Sequence, residues 1–244
     1  MNKIRLNEAK ITELDFSNLS NKNKRLEPFG GVLVARALTP NRTVKKLVIR
    51  DHAIGDRGAI AIANMLRFNR TLEYIDLYSN EITDKGAEAL AKVLYGHESV
   101  VHLSMWSNQI TDTGARYLAE ALKCNRQLKY LGLVHNRITR PGAEALLEAL
   151  EVNLHLETLN LATNRVPASI ASQIRISLAR NRVEAPKLIS LMKEEEAAME
   201  LLLAQATDDD DTCSESSGFL SCSEDEGDED DEAMENEINE TAWV

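Results

Sequence analysis

Five times the chain writes one short pattern at a fixed interval. Val44, Leu47 and Ile49; Leu72, Ile75 and Leu77; Val100, Leu103 and Met105; Leu128, Leu131 and Leu133; and Leu156, Leu159 and Leu161 form five sets, each starting 28 residues after the one before. A slot three residues after each set holds His52, Asn80, Asn108, Asn136 and Asn164. A Gly-Ala pair follows at 58–59, 86–87, 114–115 and 142–143. Apolar residues at helical spacing come next, such as Ala87, Leu90, Ala91 and Leu94. So many columns in register restrict the chain to architectures of stacked repeats.

The physics of one repeat is readable. The end of the LxxLxL segment alternates with period 2, so Ile75 and Leu77 point the same way, into a core. The Asn that follows can bond backbone groups where the chain turns off the strand. Thr83, Thr111 and Thr139 suit helix N-caps, and Pro141 falls in a first helical turn, where its missing N–H removes no helical bond. One strand and one helix cannot bury an apolar stripe alone. Stacked copies can, as a parallel sheet backed by a helix layer.

The ends depart from the pattern. Ile11, Leu14 and Phe16 read as a first strand, with Leu19 in the Asn slot. The next strand comes 33 residues later, yet Gly30-Gly31 and Asn41 keep the 28-residue spacing to Gly58-Ala59 and Asn69. The extra residues therefore lie between strand and helix, around SNKNK. At the far end VPASIASQI replaces the Gly-Ala segment, and KLISLMKEEEAAMELLLAQA follows Pro186 with Leu188, Met192, Met199 and Leu203 on one helical face. The pattern predicts a solenoid over 1–186, a capping helix over 187–206 and a disordered acidic tail over 207–244.

These motifs resemble leucine-rich repeats of the ribonuclease-inhibitor type, over about residues 11–182. The resemblance implies a curved, right-handed α/β solenoid of about six repeats, with the parallel sheet on the concave face and helices on the convex face. It also implies a non-enzymatic protein-binding scaffold, an adaptor or an inhibitor. The layout of repeats plus acidic tail is also similar to the activating proteins of the GTPase Ran, to acidic leucine-rich nuclear phosphoproteins that handle histones and other basic proteins, and to host-directed bacterial effectors.

Charge divides the molecule. Residues 207–244 hold 16 acidic residues and no Lys or Arg, while residues 1–70 hold 14 Lys/Arg against 6 Asp/Glu. The tail could take a basic protein as partner, and acids three residues after Thr212, Ser221 and Ser223 match what acidophilic kinases favour. The three cysteines, Cys124, Cys213 and Cys222, form no disulfide framework and no zinc spacing. The N-terminal MNKIRLNEAKITELDF lacks the apolar centre of a signal peptide, and no run of about 18 apolar residues could span a bilayer. The expectation is a cytoplasmic protein, with the nucleus as a second site, without cofactor, metal, membrane or small-molecule substrate. Nucleic acid is not an expected partner.

The strand positions between the leucine slots should face out of the sheet. The first outward row runs Glu13, Lys46, Tyr74, His102, Tyr130 and Thr158. The second runs Asp15, Val48, Asp76, Ser104, Gly132 and Asn160, and the third Ser17, Arg50, Tyr78, Trp106, Val134 and Ala162. Outside the tail there are five tyrosines and one tryptophan, and three of those tyrosines and the tryptophan fall on these rows. With strands about 4.8 Å apart, Tyr74, Tyr78, Trp106 and Tyr130 should form one patch, and exposed aromatics are common interface anchors. The expected partner-binding set is Lys46, Arg50, Tyr74, Asp76, Tyr78, His102, Trp106 and Tyr130. Two other arrangements of the same residues are open: stacking of the rings on one another, and charge pairing of Lys45, Lys46 and Arg50 with Glu13 and Asp15 on the neighbouring strand.

Overall fold

The computed structural model describes residues 11–17, 25–183 and 185–208. Strands β1 (Glu13–Asp15), β2 (Lys46–Val48), β3 (Tyr74–Asp76), β4 (His102–Ser104), β5 (Tyr130–Gly132) and β6 (Thr158–Asn160) pair in chain order as one parallel sheet. Helices α1 (Glu27–Leu38), α2 (Gly55–Leu66), α3 (Asp84–Leu94), α4 (Asp112–Cys124), α5 (Arg140–Val152) and α6 (Ala168–Val183) follow the strands in turn. Each helix from α2 to α6 packs on the one before it. Strands sit about 4.8 Å apart while packed helices need 8–10 Å, so the sheet lines the inside of the curve. The architecture is the α/β repeat solenoid expected from the sequence.

The register repeats as well. Tyr74, His102, Tyr130 and Thr158 are direct partners across successive strands, and so are Ile75, Leu103, Leu131 and Leu159. The first strand pairs Glu13 with Lys46, the 33-residue offset. Helices α1 and α2 start 28 residues apart, so the insertion falls between β1 and α1. Most of it, residues 18–24 with Leu19, lies outside the described residues. Behind the sheet the leucine slots and the inner helix faces make one continuous core, in which Leu47, Ile75, Leu77, Leu131 and Leu133 are fully buried.

The Asn slots form a ladder. Asn108 donates through Nδ2 to the carbonyls of Leu77 and Trp106 at 3.0 and 3.1 Å, and its Oδ1 accepts from the Asn80 and Ile82 amides at 3.1 and 3.0 Å. His52 takes this place at the first turn. It is fully buried, its Nδ1 accepts from the Leu26 amide at 3.1 Å, and its Nε2 sits 2.9 Å from the Phe16 carbonyl.

A second ladder, at Asn41, Asn69, His97, Asn125, Asn153 and Asn181, ties the helix ends to the following strands. Asn69 donates to the Leu38 and Asn41 carbonyls and accepts from the Thr71 and Leu72 amides. His97 repeats this chemistry: Nε2 lies 3.1 and 3.2 Å from the Leu66 and Asn69 carbonyls, and Nδ1 accepts from the Ser99 and Val100 amides. The carbonyls fix its proton on Nε2 and leave no room for one on Nδ1. Burial pushes the His97 pKa below its usual value, outweighing its carbonyl partners. The unfolded chain therefore takes up a proton near pH 6.5 that the folded chain refuses, so stability falls as pH drops below that value. Burial depresses His102 and His155 too, with the same sign. Melting temperatures measured from pH 7.5 to 5 should fall, and His97→Asn should flatten part of that slope. An unchanged slope in the variant would show that His97 is not the titrating group.

A third ladder was not anticipated. Asp56 accepts from the Thr83 amide at 2.8 Å, the Thr83 hydroxyl at 2.6 Å and the Gly86 amide at 3.0 Å. Asp84 and Asp112 repeat the arrangement with Thr111 and Gly114, and with Thr139 and Gly142. The conserved geometry explains the glycine column. A Cβ on Gly86 would stand 2.6 Å from Ile82 and 2.8 Å from the Asp56 carboxylate. Thr83 and Thr111 also cap their own helices, but Thr139 does not, because Pro141 offers no amide two residues on. The next step loses both partners: Arg140 stands in the Asp slot and Pro167 in the Thr slot.

At the last repeat α6 buries Ile170, Ile174 and Leu178. The open edge of β6 is partly blocked by side chains. Asn181 Nδ2 donates to the Leu156 carbonyl at 2.9 Å, and Arg182 Nε to the Glu157 carbonyl at 2.7 Å. Such edge cover opposes strand addition. Residues 185–208 form a further helix, α7. On it Leu188 and Met192, from the face expected to close the last repeat, are 48% and 50% exposed. The side chain of Leu203 and the expected tail over 209–244 lie outside the described residues. Among the described residues no helix is long and apolar enough to cross a membrane.

Candidate functional site

The three outward rows build a trough on the sheet face. The first row is one wall. Tyr74 and His102 stack with ring centroids 4.0 Å apart and 11° between planes; His102 and Tyr130 stack at 4.0 Å and 6°. Parallel register places these rings one above the next, so the sequence alternative of ring stacking is what the structure shows. Lys46 Nζ sits 5.6 Å from the Tyr74 ring centre and closes the column at that end. Thr158, too short to continue it, follows Tyr130 at the other. Burial holds the His102 pKa below its usual value, against the pull of Asp76. Burial thus disfavours a charged imidazolium in the middle of the column.

Tyr78 and Trp106, from the third row, make the opposite wall. Tyr78 is 39% exposed. The floor is the second row, where Asp76, Ser104 and Gly132 are buried. Ser17, Arg50 and Asp51 close one end. Together with the two walls, Asp76 and Ser104 they enclose about 500 Å³ open to solvent.

Gly132 sets the wall at Trp106. A Cβ on Gly132 would overlap the indole Nε1 and stand 2.7 Å from its Cδ1. Glycine is a poor strand residue, and its place in β5 is explained by the indole lying across it. The same position holds Asp15, Val48, Asp76, Ser104 and Asn160 in the other repeats, so the odd residue in the row was the available sequence signal. Screened from solvent, Trp106 Nε1 has no hydrogen-bond partner among the described residues. It lies near enough to the Tyr130 hydroxyl to favour ionisation, but burial dominates and raises the Tyr130 pKa.

The expected charged members are occupied internally. Lys46 pairs with Glu13 at 3.0 Å, the cross-strand pairing weighed from sequence, while Lys45 turns to Glu73 at 2.8 Å. Arg50 pairs with Asp76 rather than Asp15: its Nε and Nη2 lie 2.7 and 2.5 Å from Asp76 Oδ2. The other Asp76 oxygen accepts from the Tyr78 amide at 3.0 Å. Asp15 is held ionised by hydrogen bonds from Ser17. Of the eight residues expected in the site, seven line the trough: Arg50, Tyr74, Asp76, Tyr78, His102, Trp106 and Tyr130. Lys46 stands behind Tyr74. Ser17, Asp51 and Ser104 also line it and were not singled out.

The family model described as Leucine Rich repeat matches residues 41–63, 68–91, 97–119 and 124–147. These are leucine-rich repeats. The match is to the repeat in general, and the ribonuclease-inhibitor type is not confirmed by it. Two solved structures are similar in outline to this leucine-rich repeat chain. One, titled leiomodin-1 actin-binding site 2, is 19% identical, with a TM-score of 0.48, covering 80% of this chain and 94% of its own. The other, a tropomodulin C-terminal domain from Caenorhabditis elegans, is 14% identical, with a TM-score of 0.49, covering 78% and 95%. No curated protein matches this leucine-rich repeat chain. Arrays of this kind present an extended inner surface suited to holding another molecule.

Proposed function

We propose that this leucine-rich repeat protein is a non-enzymatic scaffold that holds a partner protein on its sheet face, as an adaptor or an inhibitor. The acidic run over 207–244 tunes that binding. The observation that carries the reading is the trough between the Tyr74–His102–Tyr130 column and Tyr78–Trp106. Its rings are locked by stacking and by Gly132, so little side-chain entropy remains to be lost on contact.

The test compares capture of a binding protein from cell extract by wild type, Trp106→Ala and Gly132→Ala. Trp106→Ala should weaken capture by tenfold or more while melting stays near wild type, as expected of an interface anchor. Gly132→Ala should act in the same direction by displacing the indole. Removing residues 207–244 should have a smaller effect that fades as salt screens charge. Normal capture by Trp106→Ala, with capture lost on tail removal, would overturn the reading and make the tail the binding element.

A further inference from the structure

We infer that an acidic segment of the partner protein binds the turn edge of the last two repeats, at Arg137 and Arg165. The inference rests on the sheet-face reading and adds a charged subsite beside the trough.

The first observation is a like-charged pair with nothing to neutralise it. Gln109, Arg137 and Arg165 hold the same place on successive turns, where their amides donate to the Ile82, Ile110 and Ile138 carbonyls at 2.8, 2.8 and 2.9 Å. Arg137 and Arg165 therefore leave the backbone on adjacent rungs, about 5 Å apart. Both are exposed, and among the described residues neither side chain has an ion pair or a hydrogen bond. Elsewhere charges on neighbouring repeats are matched: Lys45 with Glu73, Lys129 with Glu157 and Lys123 with Glu148, at 2.8, 2.8 and 2.9 Å. Like charges this close repel, and what the edge lacks is an anion.

The second observation is that two columns change sign at the same repeat. The turn column reads Ala53, Glu81, Gln109, Arg137 and Arg165, and the column three residues on reads Asp56, Asp84, Asp112 and Arg140. The carboxylates nearby are already in use. Asp112 accepts from Thr139 and Gly142, and Glu144 pairs with Arg140 at 3.2 Å. The edge thus carries an exposed acid, Glu81, at one end and two free guanidiniums at the other.

These features select the ligand. A guanidinium offers a planar fork of donors that fits a carboxylate with two hydrogen bonds, and clustered arginines recognise acidic motifs. A long polyanion such as nucleic acid would run on along the edge towards Glu81 and Asp51, whose charges oppose it. A short acidic run meets only the arginines. Their rungs lie one and two beyond that of Trp106, about 5 and 10 Å along the array. A segment anchored at Trp106 can therefore carry its acids past Val134 and Ala162, the uncharged third-row residues of those repeats.

The experiment titrates the full ¹⁵N-labelled chain with a capped hexaglutamate peptide. A capped Gly-Ser hexapeptide and a capped phosphoserine peptide are the comparisons. The amide and Nε–H signals of Arg137 and Arg165 should move saturably with hexaglutamate and not with Gly-Ser, and the movement should fade as salt rises. Arg137→Gln with Arg165→Gln should weaken binding about tenfold or more without changing the melting temperature. Arg36→Gln with Arg67→Gln, which removes the same charge from exposed positions on the helix side, should leave it intact. No movement at millimolar hexaglutamate would overturn the inference, whether the edge is inert or already held by the chain's own acidic run. Equal losses in the two double variants would overturn it in favour of net charge, and tighter binding of the phosphoserine peptide in favour of a phosphate ligand. Capture from cell extract separates this inference from the sheet-face reading. If the Arg137/Arg165 variant keeps the partner that Trp106→Ala loses, the acidic subsite falls and sheet-face binding stands. If Trp106→Ala keeps the partner and the arginine variant loses it, the sheet-face reading falls and the edge alone is the binding element.

Discussion

Asn108→Ala should destabilise the solenoid more than truncation of a neighbouring leucine. The Asn108 side chain joins two repeats through four hydrogen bonds, two given and two received, and its slot is 6% exposed. Alanine strands two backbone amides and the Leu77 carbonyl where water has little access, while the Trp106 carbonyl keeps its bond from the Ser79 amide. At about 1–3 kcal/mol for each buried group left unpaired, the loss is on the order of 5 kcal/mol. That is comparable with the whole stability of an ordinary domain. Urea melts followed by circular dichroism should show an unfolded or barely folded variant. Asn164→Ala is the internal comparison. Asn164 makes the same kind of bonds at the last turn, but the rung is half-buried, so water can replace the amide and the loss should be clearly smaller. Equal losses at the two positions would mean that the ladder's strength does not come from burial.

Leu103→Ala should cost about 2–5 kcal/mol, through lost transfer energy and the cavity left behind. Leu103 is 1% exposed and sits in register between Ile75 and Leu131. Each repeat holds its neighbours, so damage in the middle weakens both halves. Trp106, three residues along and on the opposite face, is predicted to do the reverse, losing binding and keeping the fold. The pair of variants separates what the sheet is made of from what it presents. If Leu103→Ala melted like wild type, the leucine slots would not be the core that links the repeats.

The fold was legible because repetition multiplies weak signals. One LxxLxL segment is an ambiguous apolar run, but five in register with five Asn-slot residues fix strand, turn and helix together. The 33-residue first offset, set against the 28-residue glycine spacing, places the insertion between β1 and α1. The outward rows were legible for the same reason, since strand alternation assigns each residue to a face. The Asp56–Thr83 ladder escaped notice because its partners lie 27 residues apart and neither belongs to the leucine pattern. His97 escaped because an imidazole does not look like an amide in sequence, although here it offers the same donor and acceptor to the same backbone groups.

The sequence by itself determined the order of elements, the parallel register and which side chains face the open side of the sheet. All of these follow from periodicity, which is a local property of the chain. The tertiary structure decided how the outward residues use one another. It stacked His102 between two tyrosines, turned Arg50 from Asp15 to Asp76, laid Trp106 over Gly132 and left Leu188 and Met192 exposed. Those outcomes depend on distances of a few ångströms between residues about 28 positions apart. Rotamer, tilt and competing partners set such distances, and spacing along the chain does not encode them.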